Sequence, residues 1–404
     1  MKDTMAPNNK NESRHNSLST RYGILLSSIS LVSIFSILEF YGKLQVYGNL
    51  KENYHFKDVK TSNATSTTTS AAIIGNAGTK KRHGEPNERD YGLNPHGQKS
   101  TQLEVAWLMS FPNSGTTYTN HLIQSYTETT TATNYGHEQD TKNDSISIFP
   151  DSIEGPFFRY PSWLFPPRYI LTKTHCGGEC DTCQTPGNKK YINSVDAYER
   201  ACCTGRRISN STKIRTIYSS DVPKRAVHLI RDPFDNIVAR LNYKQRHWAR
   251  HNNEKYRQRV ALFNKTREGF KAYCEFRDLR SFQQEVRARF FSHEVLECAK
   301  DVPCFQEFIS YTRWHDHAIQ LLAKKSIPAM TLFYEDYALD WDTTVKQLLE
   351  FLSLTPANGA QAEMFILGKH YNEFYDEKEK LAAKKLMQEL ASTELWDLLQ
   401  RYFP

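Results

Sequence analysis

The stretch that decides the fold is residues 105–117, which read VAWLMSFPNSGTT. Residues 105–110 form a short apolar run, which predicts a buried parallel strand. A tight Gly/Ser loop follows, and then Leu122, Ile123 and Tyr126 recur at helical spacing. A strand, a glycine-containing loop and a helix in this order aim backbone N–H groups and the positive helix end at one point. We therefore predict an α/β fold with an anion site at this loop.

The loop carries the polar groups that an anion site needs. Gly115 allows close approach of the backbone, while Ser114, Thr116 and Thr117 add hydroxyl donors. A Walker A loop requires Gly-Lys-Ser/Thr, but here Thr116 follows Gly115, so the phosphate-binding lysine is absent. An ordinary strand-to-helix turn is the alternative interpretation of the loop.

Asp235 is expected to cap the helix after residue 230, and Asp342 to cap a later helix at 343–354.

Two more predicted strands end in residues suited to chemistry. The apolar run 226–230 leads into Arg231, at the strand end where open α/β sheets bind ligands. Residues 169–175 read YILTKTH, and alternation puts Lys173 and His175 on one face. A cation beside an imidazole can stabilise a leaving oxyanion and accept a proton. The alternatives are a surface ion pair for Arg231 and a packed histidine for His175.

Four segments together resemble a known family. SFPNSGTT at 110–117 resembles the 5′-phosphosulfate loop of sulfotransferases, and LIRDPFDNIVA at 229–239 resembles their 3′-phosphate motif. Lys173-Thr-His175 is similar to the strand that carries the catalytic histidine in the cytosolic branch. LFYED at 332–336 resembles the late strand whose tyrosine lies near the adenine. The resemblance implies a P-loop NTPase-like three-layer fold with a central parallel sheet, 3′-phosphoadenosine 5′-phosphosulfate (PAPS) as co-substrate, and no metal.

The resemblance also assigns roles to individual residues. His175 is expected to be the general base, with Lys173 stabilising charge on the leaving phosphate. Arg231 is expected at the 3′-phosphate and Tyr334 beside the adenine. The residues expected to hold the 5′-phosphosulfate are Asn113, Ser114, Gly115, Thr116 and Thr117.

Two positions depart from the family pattern. The family usually has Lys or Arg where this chain has Asn113, and Ser where it has Ala239. Lys173 is expected to take over the first role, since Asn113 still donates hydrogen bonds, and Arg240 is a candidate for the second. Weaker cofactor binding or a non-catalytic relative are the alternatives.

The N-terminal part of the chain resembles the layout of Golgi sulfotransferases. Residues 22–41 read YGILLSSISLVSIFSILEFY, which is long enough to span a bilayer as a helix. Arg14 and Arg21 favour a cytoplasmic N-terminus and thus a type II signal anchor. A cleaved signal peptide and a buried soluble helix are the alternatives. We predict a cytoplasmic tail at 1–22, the anchor at 23–42, a disordered stem at 43–102 and a lumenal domain at 103–404 in the Golgi membrane.

The cysteines and glycosylation sequons fit that topology. All 8 cysteines follow residue 175, on the predicted lumenal side, and favour disulfides. A zinc site at Cys180-x-x-Cys183 and free thiols are the alternatives. The N-x-S/T sequons begin at Asn63, Asn143, Asn210 and Asn264.

Composition and charge bound the class of partner. With 39% hydrophobic residues the 404-residue chain can build a core, and a mean hydropathy of −0.64 excludes a polytopic membrane protein. Residues 240–290 hold 14 basic and 5 acidic residues, whereas the whole chain has a net charge of +7. This segment predicts an acidic glycan or acidic protein as acceptor, with nucleic acid disfavoured behind a membrane anchor. A solvated helical face with a buried aromatic stripe is the alternative, the aromatics being Tyr243, Trp248, Tyr256, Phe263 and Phe270.

The resulting prediction is transfer of a sulfuryl group from PAPS to an acceptor hydroxyl or amine. A P-loop kinase is disfavoured because the loop lysine and a clear Mg²⁺-binding acidic strand end are missing. A non-catalytic glycan-binding relative is motivated by Asn113 and Ala239.

Overall fold

A computed structural model describes most of the predicted lumenal domain. The described residues are 103–138, 144–161, 164–180, 183–251, 253–281, 288–363, 365–366 and 372–403. The predicted tail, anchor and stem lie outside them, as do the sequons at Asn63 and Asn143. Within the described ranges, no helix combines the length and apolarity needed to cross a membrane.

A mostly parallel sheet forms the centre of the domain. Its six strands lie in the order β3-β2-β4-β1-β7-β8, and only the β2–β3 pair is antiparallel. The strands are β1 (Glu104–Ser110), β2 (Ala132–Thr133), β3 (Phe157–Phe158), β4 (Tyr169–Thr174), β7 (Pro223–Ile230) and β8 (Ala329–Phe333). A separate antiparallel hairpin consists of β5 (Thr204–Ser209) and β6 (Thr212–Ile217). The predicted α/β class with a central parallel sheet is confirmed for this domain.

Helices connect the strands, as parallel pairing requires. The helices before the last sheet strand are α1 (Thr116–Thr127), α2 (Val195–Cys202), α3 (Pro233–Ala249), α4 (Glu254–Leu262), α5 (Arg267–Ser281), α6 (His293–Ala299) and α7 (Phe305–Lys324). Those after it are α8 (Asp336–Leu339), α9 (Trp341–Leu352), α10 (Glu377–Leu390) and α11 (Thr393–Leu399).

Two helix starts differ from the sequence prediction. Asp235 was expected to cap α3, but the cap is Asp232, whose carboxylate accepts from the backbone N–H groups of Phe234 and Asp235. Pro233 then occupies the first turn, where its missing N–H costs nothing. Likewise Asp340, rather than Asp342, caps α9.

Helices pack on both faces of the sheet. On one face, side chains of β1 and β7 pack with α1 and α9 in a core that includes Leu108, Leu122, Leu229 and Leu348. On the other face, α7 lies against β7 and the start of the loop, where Phe111 contacts the rings of Tyr311 and Trp314. Because β1 lies between β4 and β7, the carboxyl ends of all three strands meet at one edge.

Six of the eight cysteines form disulfides. The pairs are Cys176–Cys202, Cys180–Cys183 and Cys274–Cys304, whereas Cys203 and Cys298 are free thiols. The C-x-x-C sequence is therefore a disulfide and not a zinc site. Within the described residues no group of three or more His, Cys, Asp or Glu side chains could hold a metal ion.

Candidate active site

The loop after β1 presents the start of α1 to a cavity. Gly115 has a φ of 102°, and a Cβ atom at this position would lie 2.2 Å from the Tyr334 ring, so only glycine fits. α1 begins at the next residue, and among the described side chains none caps its N-terminus. Its first N–H groups therefore remain available to an anion. Asn113 has a φ of 69°, a conformation that asparagine tolerates better than most residues.

The cavity beside this helix end has a volume of about 530 Å³. Six of the predicted residues line it, from the loop, the start of α1 and the end of β4, together with charged residues from other segments. The predicted lining residues are Asn113, Gly115, Thr116, Thr117, Lys173 and His175. The further charged or ionisable lining residues are His137, Glu138, Glu179, Arg206, Arg240, Lys244, Arg246 and His247.

His175 is held through its backbone, its Nδ1 atom and one face of its ring. Its Nδ1 lies 2.9 Å from the Ser110 carbonyl oxygen, and its own carbonyl accepts from Nε1 of Trp314 at 2.8 Å. The Ser110 hydroxyl oxygen, 3.1 Å from Nδ1, can accept as well. Because a carbonyl oxygen can only accept, we assign the proton to Nδ1, which leaves the lone pair of the neutral ring on Nε2. The ring is stacked on Tyr135, with centroids 5.8 Å apart.

The electrostatic surroundings keep the His175 ring neutral. Burial and the nearby charge of Lys173 lower the pKa of His175 below its usual value, while Glu179, the Ser110 carbonyl and Glu138 act in the opposite direction. A neutral imidazole with an available Nε2 is the form that can accept a proton.

Lys173 is paired rather than free. Its Nζ lies 2.6 Å from Oε1 of Glu138, whose other oxygen is 3.6 Å from Nε of Arg159. Burial favours protonation of Glu138, but the charge and hydrogen bond of Lys173 outweigh it and the pKa of Glu138 is lowered. The lysine therefore faces the cavity with its charge partly compensated.

Three predicted residues lie away from the cavity lining. The Ser114 side chain is buried, and its Oγ accepts from Nδ2 of Asn236 on α3 at 2.9 Å. Arg231 is 8% exposed and donates from Nη1 to the Asn113 carbonyl at 2.8 Å. Its guanidinium lies 4.7 Å from the centroid of the Tyr334 ring. These residues contact the loop after β1 on the side away from the cavity, and neither Arg231 nor Tyr334 lines the cavity.

Arg240 does reach the cavity, from a position anchored in the core. Its Nε donates to Oε2 of Glu307 on α7 at 2.8 Å, and Glu307 is 1% exposed. Arg277 on α5 donates to the other oxygen of the same carboxylate at 2.6 Å. This buried triad, Arg240–Glu307–Arg277, links α3, α5 and α7.

The family follows from the match of the whole domain. Residues 103–382 match the family model described as "Sulfotransferase domain". This chain belongs to the sulfotransferase family. No curated protein matches it.

Two solved sulfotransferases show distant similarity. Mouse sulfotransferase SULT7A1 complexed with PAP has 12% identity and a TM-score of 0.31, covering 75% of this chain and 90% of that one. The sulfotransferase from Alicyclobacillus acidocaldarius has 9% identity and a TM-score of 0.31, covering 74% and 99%. At these scores neither structure adds to the assignment, which the domain match carries.

In the basic segment 240–290 of this sulfotransferase, some aromatic residues are buried in the core and another lies at the cavity. Trp248, Phe263 and Phe270 are buried, as the alternative of an aromatic stripe predicts. Tyr243 is instead 52% exposed at the cavity, beside Lys244 on the same helix. The aromatic stripe is therefore confirmed for Trp248, Phe263 and Phe270, whereas the acidic acceptor stays a prediction.

Sequence reasoning missed several cavity residues. Glu179 lies four residues after His175, a spacing that could have drawn attention to it, since their side chains are 3.5 Å apart. Arg206 lies on the β5–β6 hairpin, 31 residues beyond His175 in the printed sequence, and carries no motif. Glu138 follows the short strand β2 in a single helical turn, and only the fold places it beside Lys173.

Proposed function

We propose that this sulfotransferase moves a sulfuryl group from PAPS to a hydroxyl or amine of an acceptor. The observation that carries the proposal is the convergence on one cavity of the uncapped N-terminus of α1 and the Nε2 face of His175. PAPS supplies an activated sulfuryl group whose transfer leaves 3′-phosphoadenosine 5′-phosphate (PAP). A helix N-terminus is suited to hold that phosphate, and a neutral imidazole is suited to deprotonate the acceptor.

The loop is proposed to hold the 5′-phosphosulfate. Backbone N–H groups at the start of α1 and the hydroxyl groups of Thr116 and Thr117 are the donors. Asn113 lines the cavity and contributes an amide, a weaker contact than the cation usual in the family. Lys173 lies at the carboxyl end of β4, which pairs with β1, and is proposed to stabilise the negative charge on the leaving phosphate.

The 3′-phosphate has two candidate partners. Arg231 keeps the role implied by its motif, with Tyr334 beside the adenine, although both contact the back of the loop here. Arg240 lines the cavity and has a planar guanidinium suited to phosphate. Arg240 would supply a cation in place of the serine hydroxyl that is usual in the family and that Ala239 lacks.

The acceptor is proposed to be anionic, either an acidic glycan or an acidic protein. Arg206 and Arg246 are both exposed at the cavity, and within the described part of the chain no carboxylate forms an ion pair with either. Arg206 also lies directly opposite Arg215 in the hairpin, an unfavourable placement of like charges unless an anion binds there.

The proposed location is the Golgi membrane, with a type II anchor at 23–42 and the catalytic domain in the lumen. Support comes from the three disulfides, which persist in oxidising compartments. The sequon residues Asn210 and Asn264 are exposed. Endoglycosidase should increase the mobility of the protein, and sealed vesicles should protect residues 103–404 from protease. An unshifted, protease-sensitive domain would contradict this topology.

The test of the function is calorimetry of the full chain with PAP, followed by transfer assays with PAPS. We expect PAP to bind without added metal and sulfuryl transfer to follow. Binding of heparin with no binding of PAP would instead identify a non-catalytic glycan-binding relative. Hydrolysis of ATP only with Mg²⁺ would overturn the choice of donor.

A further inference from the structure

Glu179, in the loop after β4, is a cavity carboxylate with no role in the proposed function above. Oε1 of Glu179 lies 3.5 Å from Nε2 of His175, and both residues line the cavity. The histidine side chain is only 5% exposed, whereas that of Glu179 is 41% exposed. Glu179 therefore lies between the buried ring and solvent.

The tautomer of His175 determines what the two side chains can do for each other. While Nδ1 donates to the Ser110 carbonyl, the neutral ring presents only a lone pair at Nε2. The Glu179 carboxylate also presents only lone pairs, so no hydrogen bond joins them in that state. Once Nε2 carries a proton, it can donate to Glu179 in a charge-assisted hydrogen bond.

We propose that Glu179 is a positioning residue that stabilises protonated His175 and passes the reaction proton to solvent. The proposal rests on the function above. The acceptor oxygen or nitrogen bonds to sulfur, the bond from sulfur to the phosphate oxygen breaks, and its electron pair leaves with PAP. The acceptor proton moves to Nε2 of His175. Nε2–H then donates to Oε1 of Glu179, and the proton leaves through the exposed carboxylate to water, which restores the neutral ring.

The covalent structure around Glu179 keeps it in reach of the ring. Cys176 follows His175 directly and is bonded to Cys202 on α2. Cys180 follows Glu179 directly and is bonded to Cys183. The segment between the two bridges therefore has few ways to move the carboxylate away from Nε2.

The charges that face His175 come from several elements. Burial lowers the pKa of His175 most, Lys173 on β4 lowers it further, and Glu179 and Glu138 raise it. The contacts without charge are the carbonyl and hydroxyl oxygens of Ser110 on β1, the Tyr135 ring and hydroxyl, and Trp314 of α7. Glu138 is already paired with Lys173, so Glu179 is the carboxylate that lies against Nε2.

The experiment compares the full-length wild type with Glu179→Gln. Removing the negative charge should lower the pKa of His175, so the acid limb of the pH profile of kcat/KM should move to lower pH. A weaker base should also lower kcat on the plateau, by about tenfold, with the affinity for PAP unchanged. Glu179→Asp keeps the charge and should retain the wild-type acid limb.

Glu297→Gln is the matched control. Glu297 also stands four residues after a histidine, with His293 Nδ1 3.8 Å from its Oε1, but this pair is on exposed α6 and does not line the cavity. The same substitution there should leave kcat, the acid limb and PAP affinity unchanged.

A second readout does not depend on turnover. Titration of ¹³C-labelled histidine by NMR, with the His175 signal identified by its loss in His175→Gln, measures the ring directly. A lower pKa of His175 in Glu179→Gln supports the proposal. An unchanged pKa and acid limb overturn it, as does a Glu179→Asp variant that behaves like Gln. Failure of the wild type to bind PAP would instead count against the proposed function, while the NMR titration would still report the coupling.

Discussion

The cavity has two walls of different character. On the sheet wall, Lys173 and His175 are largely buried: Lys173 is paired with Glu138, and Nδ1 of His175 bonds the Ser110 carbonyl while Nε2 faces the cavity. On the wall formed by α3 and the β5–β6 hairpin, Arg206 and Arg246 are exposed and have no carboxylate partner in the described structure. In the proposed reaction, the chemistry would use groups held in one geometry, and the proposed anionic acceptor would be recognised by exposed charge.

The largest effect should come from the sheet wall. His175→Ala removes the proposed base, and turnover should fall by roughly 10²- to 10⁴-fold. PAP affinity should stay near wild type, because the loop and the N-terminus of α1 are untouched. Steady-state kinetics and calorimetry on the same preparation check both statements. Activity near the wild-type level would place the base elsewhere.

The second largest effect should come from substitution of Lys173. Lys173→Ala should lower turnover by about 10²-fold, because it removes a cation from the leaving phosphate. The double variant Lys173→Ala/Glu138→Gln separates this loss from the cost of leaving a buried carboxylate unpaired. Asn113→Lys should partly rescue Lys173→Ala by restoring the cation usual in the family. The rescue should be incomplete because a φ of 69° suits asparagine better than lysine. No rescue in single-turnover assays would end the argument that Lys173 compensates for Asn113.

Arg231 distinguishes a binding role from a supporting one. If it contacts the 3′-phosphate, Arg231→Ala should weaken PAP by roughly tenfold to a hundredfold and adenosine 5′-phosphosulfate, which lacks that phosphate, far less. If it only holds the Asn113 carbonyl, both ligands should lose affinity equally. Calorimetry with the two nucleotides decides between these outcomes, and we expect the first.

The smallest effect should come from the wall formed by α3 and the β5–β6 hairpin. Arg206→Gln/Arg246→Gln should raise KM for an acidic acceptor by about tenfold, most strongly at low salt, with kcat on saturating acceptor unchanged. Lys213→Gln/Arg250→Gln removes the same charge from the same hairpin and from the C-cap of α3, and neither residue lines the cavity. Equal effects of the two double variants would show that only net charge matters.

The sequence pattern of single segments was enough to predict the main strands and the edge of the sheet at which the site lies. The segments 105–110, 169–175 and 226–230 correspond to β1, β4 and β7. The first and third are the continuous apolar runs that strands buried on both faces need. Since parallel strands share one edge, the loop, Lys173 and His175 could be expected together, and they do line one cavity.

What could not be predicted depends on contacts distant in sequence. The pairing of Cys176 with Cys202 and the approach of Glu138 to Lys173 require the folded domain. The cap of α3 shows a local limit: both Asp232 and Asp235 are suitable capping residues, and Pro233 in the first turn decides for Asp232.

The triad Arg240–Glu307–Arg277 has a consequence for how this sequence can change over time. Loss of either arginine removes one of the two cations that the buried Glu307 carboxylate contacts, and loss of Glu307 removes the charge between the two arginines, at a cost of about 3–5 kcal/mol. Single substitutions at these positions should therefore be eliminated by selection, and descendants should replace the three residues together or keep all of them. Because Arg240 also lines the cavity, the core of this protein restricts which charges its binding site can acquire.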